Sequence, residues 1–134
     1  MIIILGIFVL CLNLIWEFLH YRLYIDLTGI PSTTHLIIAS FTDLILVFLI
    51  FAIISALRRS IDWIEKPGKF DYFIIIFLGI LIAAPIEIYS LAHGRWAYTD
   101  SMPNILGIGL SPLIQLFTTG IVSIILTQII KEKR

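Results

Sequence analysis

Four stretches of this chain are nearly unbroken runs of Ile, Leu, Val, Phe and Ala, at positions 2–25, 34–57, 70–93 and 106–130, with short polar connections between them. A helix needs about 20 apolar residues to cross a hydrocarbon core, and each run meets that length. Turn formers fall in every connection: Gly29 and Pro31, then Pro67 and Gly68, then Gly94 and Pro103. The pattern predicts an all-α protein, one domain over residues 1–134, built as an antiparallel bundle of four transmembrane helices. No residues are left over for a soluble domain.

The informative positions are those where the apolar runs are broken. In "NLIWEFLH", Asn13, Glu17 and His20 recur at steps of four and three, and Tyr24 follows four later, which places all four on one helical stripe. Ala83, Glu87 and Ser90 repeat the spacing in the third run, and Ser111, Gln115 and Thr118 in the fourth. Asp43 shares a face with Ala39 in the second, with His35 roughly above them. A charge at mid-bilayer costs about 2.5–3.5 kcal/mol, so Glu17, Asp43 and Glu87 are expected to face the bundle interior or a wet cavity. Pro85 removes a backbone hydrogen bond two residues before Glu87, freeing the Leu81 carbonyl and introducing a kink that can aim the carboxyl inward.

Composition agrees with a membrane setting: 60% of the 134 residues are hydrophobic, 13% are charged, and the mean hydropathy is +1.06. Charge then sets orientation. The 58–69 connection carries Arg58, Arg59, Lys66 and Lys69, and the tail adds Lys131, Lys133 and Arg134, whereas the other connections hold Arg95, with Arg22 just before the first. By the positive-inside rule both termini are predicted cytoplasmic in a multi-pass protein of the cell membrane. The polar stripes then fall in the outer leaflet. The first run lacks a basic leading segment and a small-residue cleavage site, and is expected to be retained. Cys11 has no partner within the chain, and no basic face or glycine-rich phosphate loop points to nucleic acid or nucleotide.

Several carboxyl groups in apolar surroundings can divide the work of general acid and general base. The first expectation is a cofactor-free acid-base enzyme acting on an isoprenoid or other apolar lipid. Glu17, Asp43 and Glu87 would be its catalytic groups, with Asn13, Trp16, His20, Tyr24, His93, Arg95, Trp96, Tyr98 and Gln115 around the substrate. Aromatic faces suit a developing cation, and Arg95 is expected to cap the site and pair with Glu87 or Asp100. A metal site is the second reading, because Glu17 and His20 form an E-x-x-H pair, a spacing used by di-iron bundles on two helices but present once here. The third is a carrier or small membrane subunit, and association into a homo-oligomer stays open.

Two sequence blocks carry resemblances. The residues Gly94, Trp96, Ala97, Tyr98, Met102 and Pro103, followed by Gly107, Gly109, Leu110, Pro112, Leu113 and Gln115, together with the Trp16–Glu17 pair, resemble a group of small bacterial four-helix membrane proteins without an assigned activity. Trp96, Tyr98, the glycine turn and Pro112 are also similar to the carotenoid lycopene cyclase domain, although Ile114 and Gln115 stand where that family has paired glutamates. Asn13, Trp16 and Glu17 resemble the N-x-x-W-E motif of integral-membrane terpene cyclases, which implies an acid role for Glu17.

Overall fold

A computed structural model describes residues 1–133; Arg134, counted above with the basic tail, lies outside the described residues. Four helices dominate: α1 (Ile2–His20), α2 (Ser32–Arg58), α3 (Lys69–Ala92) and α4 (Leu110–Glu132). All four are long and apolar enough to cross a membrane, which makes this a multi-pass membrane protein. They pack as a bundle in which α1 touches α2 and α4, and α3 touches α4, while the seam between α2 and α3 is the loosest side.

Packing inside the bundle rests on aliphatic layers and on small residues that let backbones approach. Leu5, Val9, Val47, Ile50, Ile54, Ile75 and Ile124 form the buried centre. A Cβ on Gly79 would lie 2.9 Å from Phe117 Cβ, so glycine permits the close α3–α4 crossing. The opposite faces present Ile3, Ile45, Phe70 and similar residues outward, as lipid contact requires.

One end of the bundle is closed by the 58–69 connection. Trp63 is buried there and donates to Ser55 Oγ at 2.8 Å, Gln128 donates to the Ile64 carbonyl at 3.2 Å, and Lys131 pairs with Glu65 at 2.6 Å. Arg58 grips the buried Asp71 through two 2.8 Å bonds, and Asp71 also accepts the Gly68 amide at the start of α3. These contacts give the helix-start amide and both charges partners.

The opposite end departs from the predicted pattern. The first helix was expected to run to residue 25, but α1 stops at His20, a single 3₁₀ turn covers Tyr21–Leu23, and β1 (Tyr24–Asp26) follows. Its partner is β2 (Trp96–Tyr98), antiparallel, with Tyr24 opposite Tyr98 and Asp26 opposite Trp96. Tyr24 therefore enters the site from a strand and not from the helical stripe. The aromatic and β-branched residues of both segments favour this pairing, and Asp26 ends the strand by accepting the Thr28 amide and hydroxyl at 2.9 and 2.6 Å. The fourth helix likewise starts at Leu110 and not at 106. Residues 104–109 form a tight hairpin of β3 (Asn104–Ile105) and β4 (Ile108–Gly109), whose turn places Leu106 and Gly107 at φ +53° and +82°.

Candidate functional site

A cavity of about 220 Å³ opens beneath the β1–β2 ribbon and is lined from all four helices. Glu17 and His20 come from α1, His35 and Asp43 from α2, Glu87 from α3, and Gln115 from α4. The remaining wall is apolar or aromatic and includes Tyr24, Leu36, Leu46, Ile86 and Trp96. Ile38, Thr42 and Ile86 line the cavity and are also exposed on the bundle surface, so the mouth lies at the loose α2–α3 seam.

At the floor, Gln115 is the common donor. Its Nε2 lies 3.0 Å from Asn13 Oδ1, 2.8 Å from Glu17 Oε1 and 2.7 Å from Asp43 Oδ2. Asn13 Nδ2 donates to the Val9 carbonyl and to Thr119 Oγ1, which fixes Asn13 Oδ1 as an acceptor. An amide nitrogen has two protons, and here three oxygens surround it. The carboxyl groups of Glu17 and Asp43 are thereby drawn to one and the same nitrogen. The spacing that put Asn13 and Glu17 on one face, and Gln115 on a facing helix, thus produces a single buried polar network.

Glu87 occupies the other side of the chamber. Its Oε2 accepts from the Tyr98 hydroxyl at 2.5 Å and from Trp96 Nε1 at 3.3 Å. The Tyr98 hydroxyl accepts the Gly109 amide at 3.0 Å, so its own proton is committed to Glu87. Burial, reinforced by Glu87 opposite, pushes the Tyr98 phenol above its ordinary range and keeps it a donor. Tyr24 stands between the ribbon and the cavity, with its ring 5.5 Å from Tyr98, 6.0 Å from Trp96 and 5.1 Å from His20.

His20 closes the wall between this cavity and a second groove. Its Nε2 is 3.3 Å from Glu17 Oε2 and its Nδ1 is 2.8 Å from Ser111 Oγ, which also receives Trp16 Nε1 at 3.1 Å. Trp16 lines the second groove and not the chamber.

One expected member stands elsewhere, and another lacks its expected partner. His93 is exposed, stacked on Tyr89 at 4.0 Å and bonded to the Tyr89 carbonyl, outside the cavity. Arg95 does line the cavity, but its guanidinium lies 5.2 Å over the Trp96 ring, and among the described residues it makes no ion pair with Glu87 or Asp100. The cation–π seat on the neighbouring indole replaces the expected carboxylate partner.

Asp26 was not foreseen at all. It accepts from Thr28 and sits 2.5 Å from His35 Nδ1 at the roof of the cavity. Partial burial disfavours its charge, but the Thr28 and His35 bonds outweigh that and hold the carboxyl down at about 2. The sequence signal was D-x-T, an Asx-type turn, next to a histidine nine residues on. Among the described residues, no group of three or more His, Cys, Asp or Glu is arranged to hold a metal ion. Glu17 and His20, the E-x-x-H pair, bond to each other.

Comparison with protein-family models, with curated proteins and with solved structures finds no match to this chain.

Proposed function

We propose that this protein is a membrane-embedded acid-base enzyme, a cyclase or isomerase acting on an isoprenoid or other apolar lipid. In this reading the bundle is antiparallel in the cell membrane, with both termini and the 58–69 connection in the cytoplasm. The basic residues Arg58, Arg59, Lys66, Lys69, Lys131 and Lys133 at the closed end support that orientation. The chamber then lies in the outer leaflet and receives lipid sideways through the α2–α3 seam.

The observation that carries the reading is the three-oxygen, two-proton arrangement at Gln115. Two carboxyl groups gathered on one amide nitrogen do not both ionise readily, and in this reading a proton shared by Glu17 and Asp43 supplies the bond that Gln115 cannot. Glu17 passes that proton to a lipid double bond, and the electron pair of the alkene forms the new C–H bond. The resulting carbocation sits against the Tyr24 and Trp96 faces and the Glu87 carboxyl group. A neighbouring carbon then loses a proton to Asp43, which restores the pair, so no co-reactant is needed. The likeness of Asn13, Trp16 and Glu17 to the terpene cyclase motif favours the same assignment of the acid.

A cavity of about 220 Å³ is smaller than the roughly 300–1,000 Å³ usual for whole-ligand pockets. It suits the reacting segment of a chain whose remainder stays in lipid between α2 and α3. The closed far end, packed with Trp63 and Ile64, favours a one-sided chamber over a through-route.

The test is direct. Protein in nanodiscs is given polyprenyl lipids and squalene, and products are read by mass spectrometry for wild type, Glu17→Gln and Glu87→Gln. Wild type converts at least one lipid class, while both variants stay folded and lose turnover. Normal processing of that lipid by both variants would sink the proposal.

A further inference from the structure

His20 is reached from two cavities that do not share a mouth. The chamber lies on its Nε2 side, with Glu17, and its Nδ1 side meets Ser111 in a groove of about 430 Å³ between α1 and α4. Leu12, Ile15, Leu19 and Val122 form the groove walls, and Arg22 stands at its rim at the ribbon end of the bundle.

Glu17 Oε2, 3.3 Å from His20 Nε2, accepts there and sets the direction of this contact. With the imidazole proton on Nε2, Nδ1 of the neutral ring accepts from the Ser111 hydroxyl at 2.8 Å, and Ser111 Oγ in turn accepts from Trp16 Nε1 at 3.1 Å. Trp16, Ser111, His20 and Glu17 then form one hydrogen-bonded line that ends on the acid pair. The groups around His20 are Glu17 on its own helix, Tyr24 of β1, Glu87 of α3 across the chamber, Asp43 of α2 through Gln115, and Arg22 on the groove side.

We infer that Ser111 and His20 are a proton conduit that connects the α1–α4 groove to the Glu17–Asp43 pair, separate from the mouth through which lipid enters. This rests on the acid-base reading above. Turnover itself restores the pair through Asp43, and when a lipid fills the chamber and shuts its α2–α3 mouth to water, this line is the connection by which that proton exchanges with solvent. In the inward passage, Ser111 gives its proton to His20 Nδ1 while Nε2–H passes to Glu17, and water at the exposed Arg22 rim replaces the serine proton. An outward passage runs the same bonds in reverse and restores the starting tautomer, so atoms and charge balance over one exchange.

The test is made with the chamber filled by squalane, a saturated lipid that has no double bond to protonate. The full chain in lipid nanodiscs is moved from H₂O to D₂O, and the carbonyl stretch of the protonated carboxyl is followed by infrared difference spectroscopy. Ser111→Thr keeps the hydroxyl and exchanges at the wild-type rate, whereas its isostere Ser111→Val exchanges about a hundredfold more slowly, the scale of one positioned proton-transfer group. Ile38→Trp, at the lipid mouth, leaves the rate unchanged. Equal rates for Ser111→Thr and Ser111→Val overturn the conduit while the acid pair stands, as does slowing confined to Ile38→Trp. Absence of any protonated carboxyl band in wild type overturns the acid pair itself, and the conduit with it.

Discussion

The Tyr98 hydroxyl donates to Glu87 Oε2 over 2.5 Å and accepts the Gly109 amide at 3.0 Å, so a single phenol ties the acid of α3 to the start of α4. Tyr98→Phe leaves a buried carboxyl oxygen and a buried amide short of partners. A loss of about 1–3 kcal/mol is expected for each such group, read as a lowered melting temperature in detergent. Gly109→Ala reaches the same contact from the other side, because a Cβ there would lie 3.0 Å from Tyr98 Cζ and 3.0 Å from Met102 Sδ. Both variants should lower stability and activity together. A fully stable Gly109→Ala protein with an unmoved Tyr98 would show that the hairpin does not position the phenol.

Gln115→Leu removes the donor common to Asn13, Glu17 and Asp43 while keeping a similar volume. Its destabilisation should exceed that of Tyr98→Phe, since more buried acceptors lose their partner. His93→Ala is the contrasting change. His93 is exposed and stacks on Tyr89 outside the chamber, so lipid conversion and melting temperature should stay near wild type. Loss of conversion in His93→Ala would mean that the chamber extends past the ribbon.

Helix number and the convergence of Asn13, Glu17, Asp43 and Gln115 were legible because membrane length and the 3.6-residue period act on every helix in the same way. Glu87 was placed for the same reason. The ribbon was not legible. Residues 21–25 and 106–109 are apolar enough to continue a helix, and only the pairing of Tyr24 with Tyr98 and the turn at Leu106 and Gly107 divert them into strands. That diversion also hid Asp26, whose partners Thr28 and His35 meet only once the strand has ended. Side-chain direction was the other unreadable quantity. Trp16 is next to Glu17 in sequence, yet on a helix neighbours point about 100° apart, and Trp16 faces the second groove.

Asp26 offers a pH test at the roof of the site. Its folded-state carboxyl is held at about 2 against an ordinary 3.8. A depressed acid contributes stability that is fully present above the unfolded value and is lost as pH falls through the folded one. Asp26→Asn should therefore melt below wild type at neutral pH, and the gap should close between pH 3.8 and about 2. Circular dichroism melts of both proteins across that window decide it. A gap that persists unchanged at the acid end would show that the Thr28 and His35 bonds do not depend on the charge.

The lateral mouth can be closed without touching any polar group of the chamber. Ile38 is 52% exposed and Ile86 39% exposed, and both line the cavity from opposite sides of the α2–α3 seam. A larger ring at either position fills the seam from the lipid side, where there is room for it, so little overpacking strain follows. Ile38→Trp and Ile86→Trp should each reduce lipid conversion, with KM rising before kcat falls, because entry is obstructed while the acid network stays in place. Leu49 lies on the same helix, 48% exposed, and does not line the cavity. Leu49→Trp adds the same ring to the lipid face and should leave both constants unchanged. If all three tryptophan variants behave alike, lipid does not enter between α2 and α3, and the ribbon end becomes the place to seek the entrance.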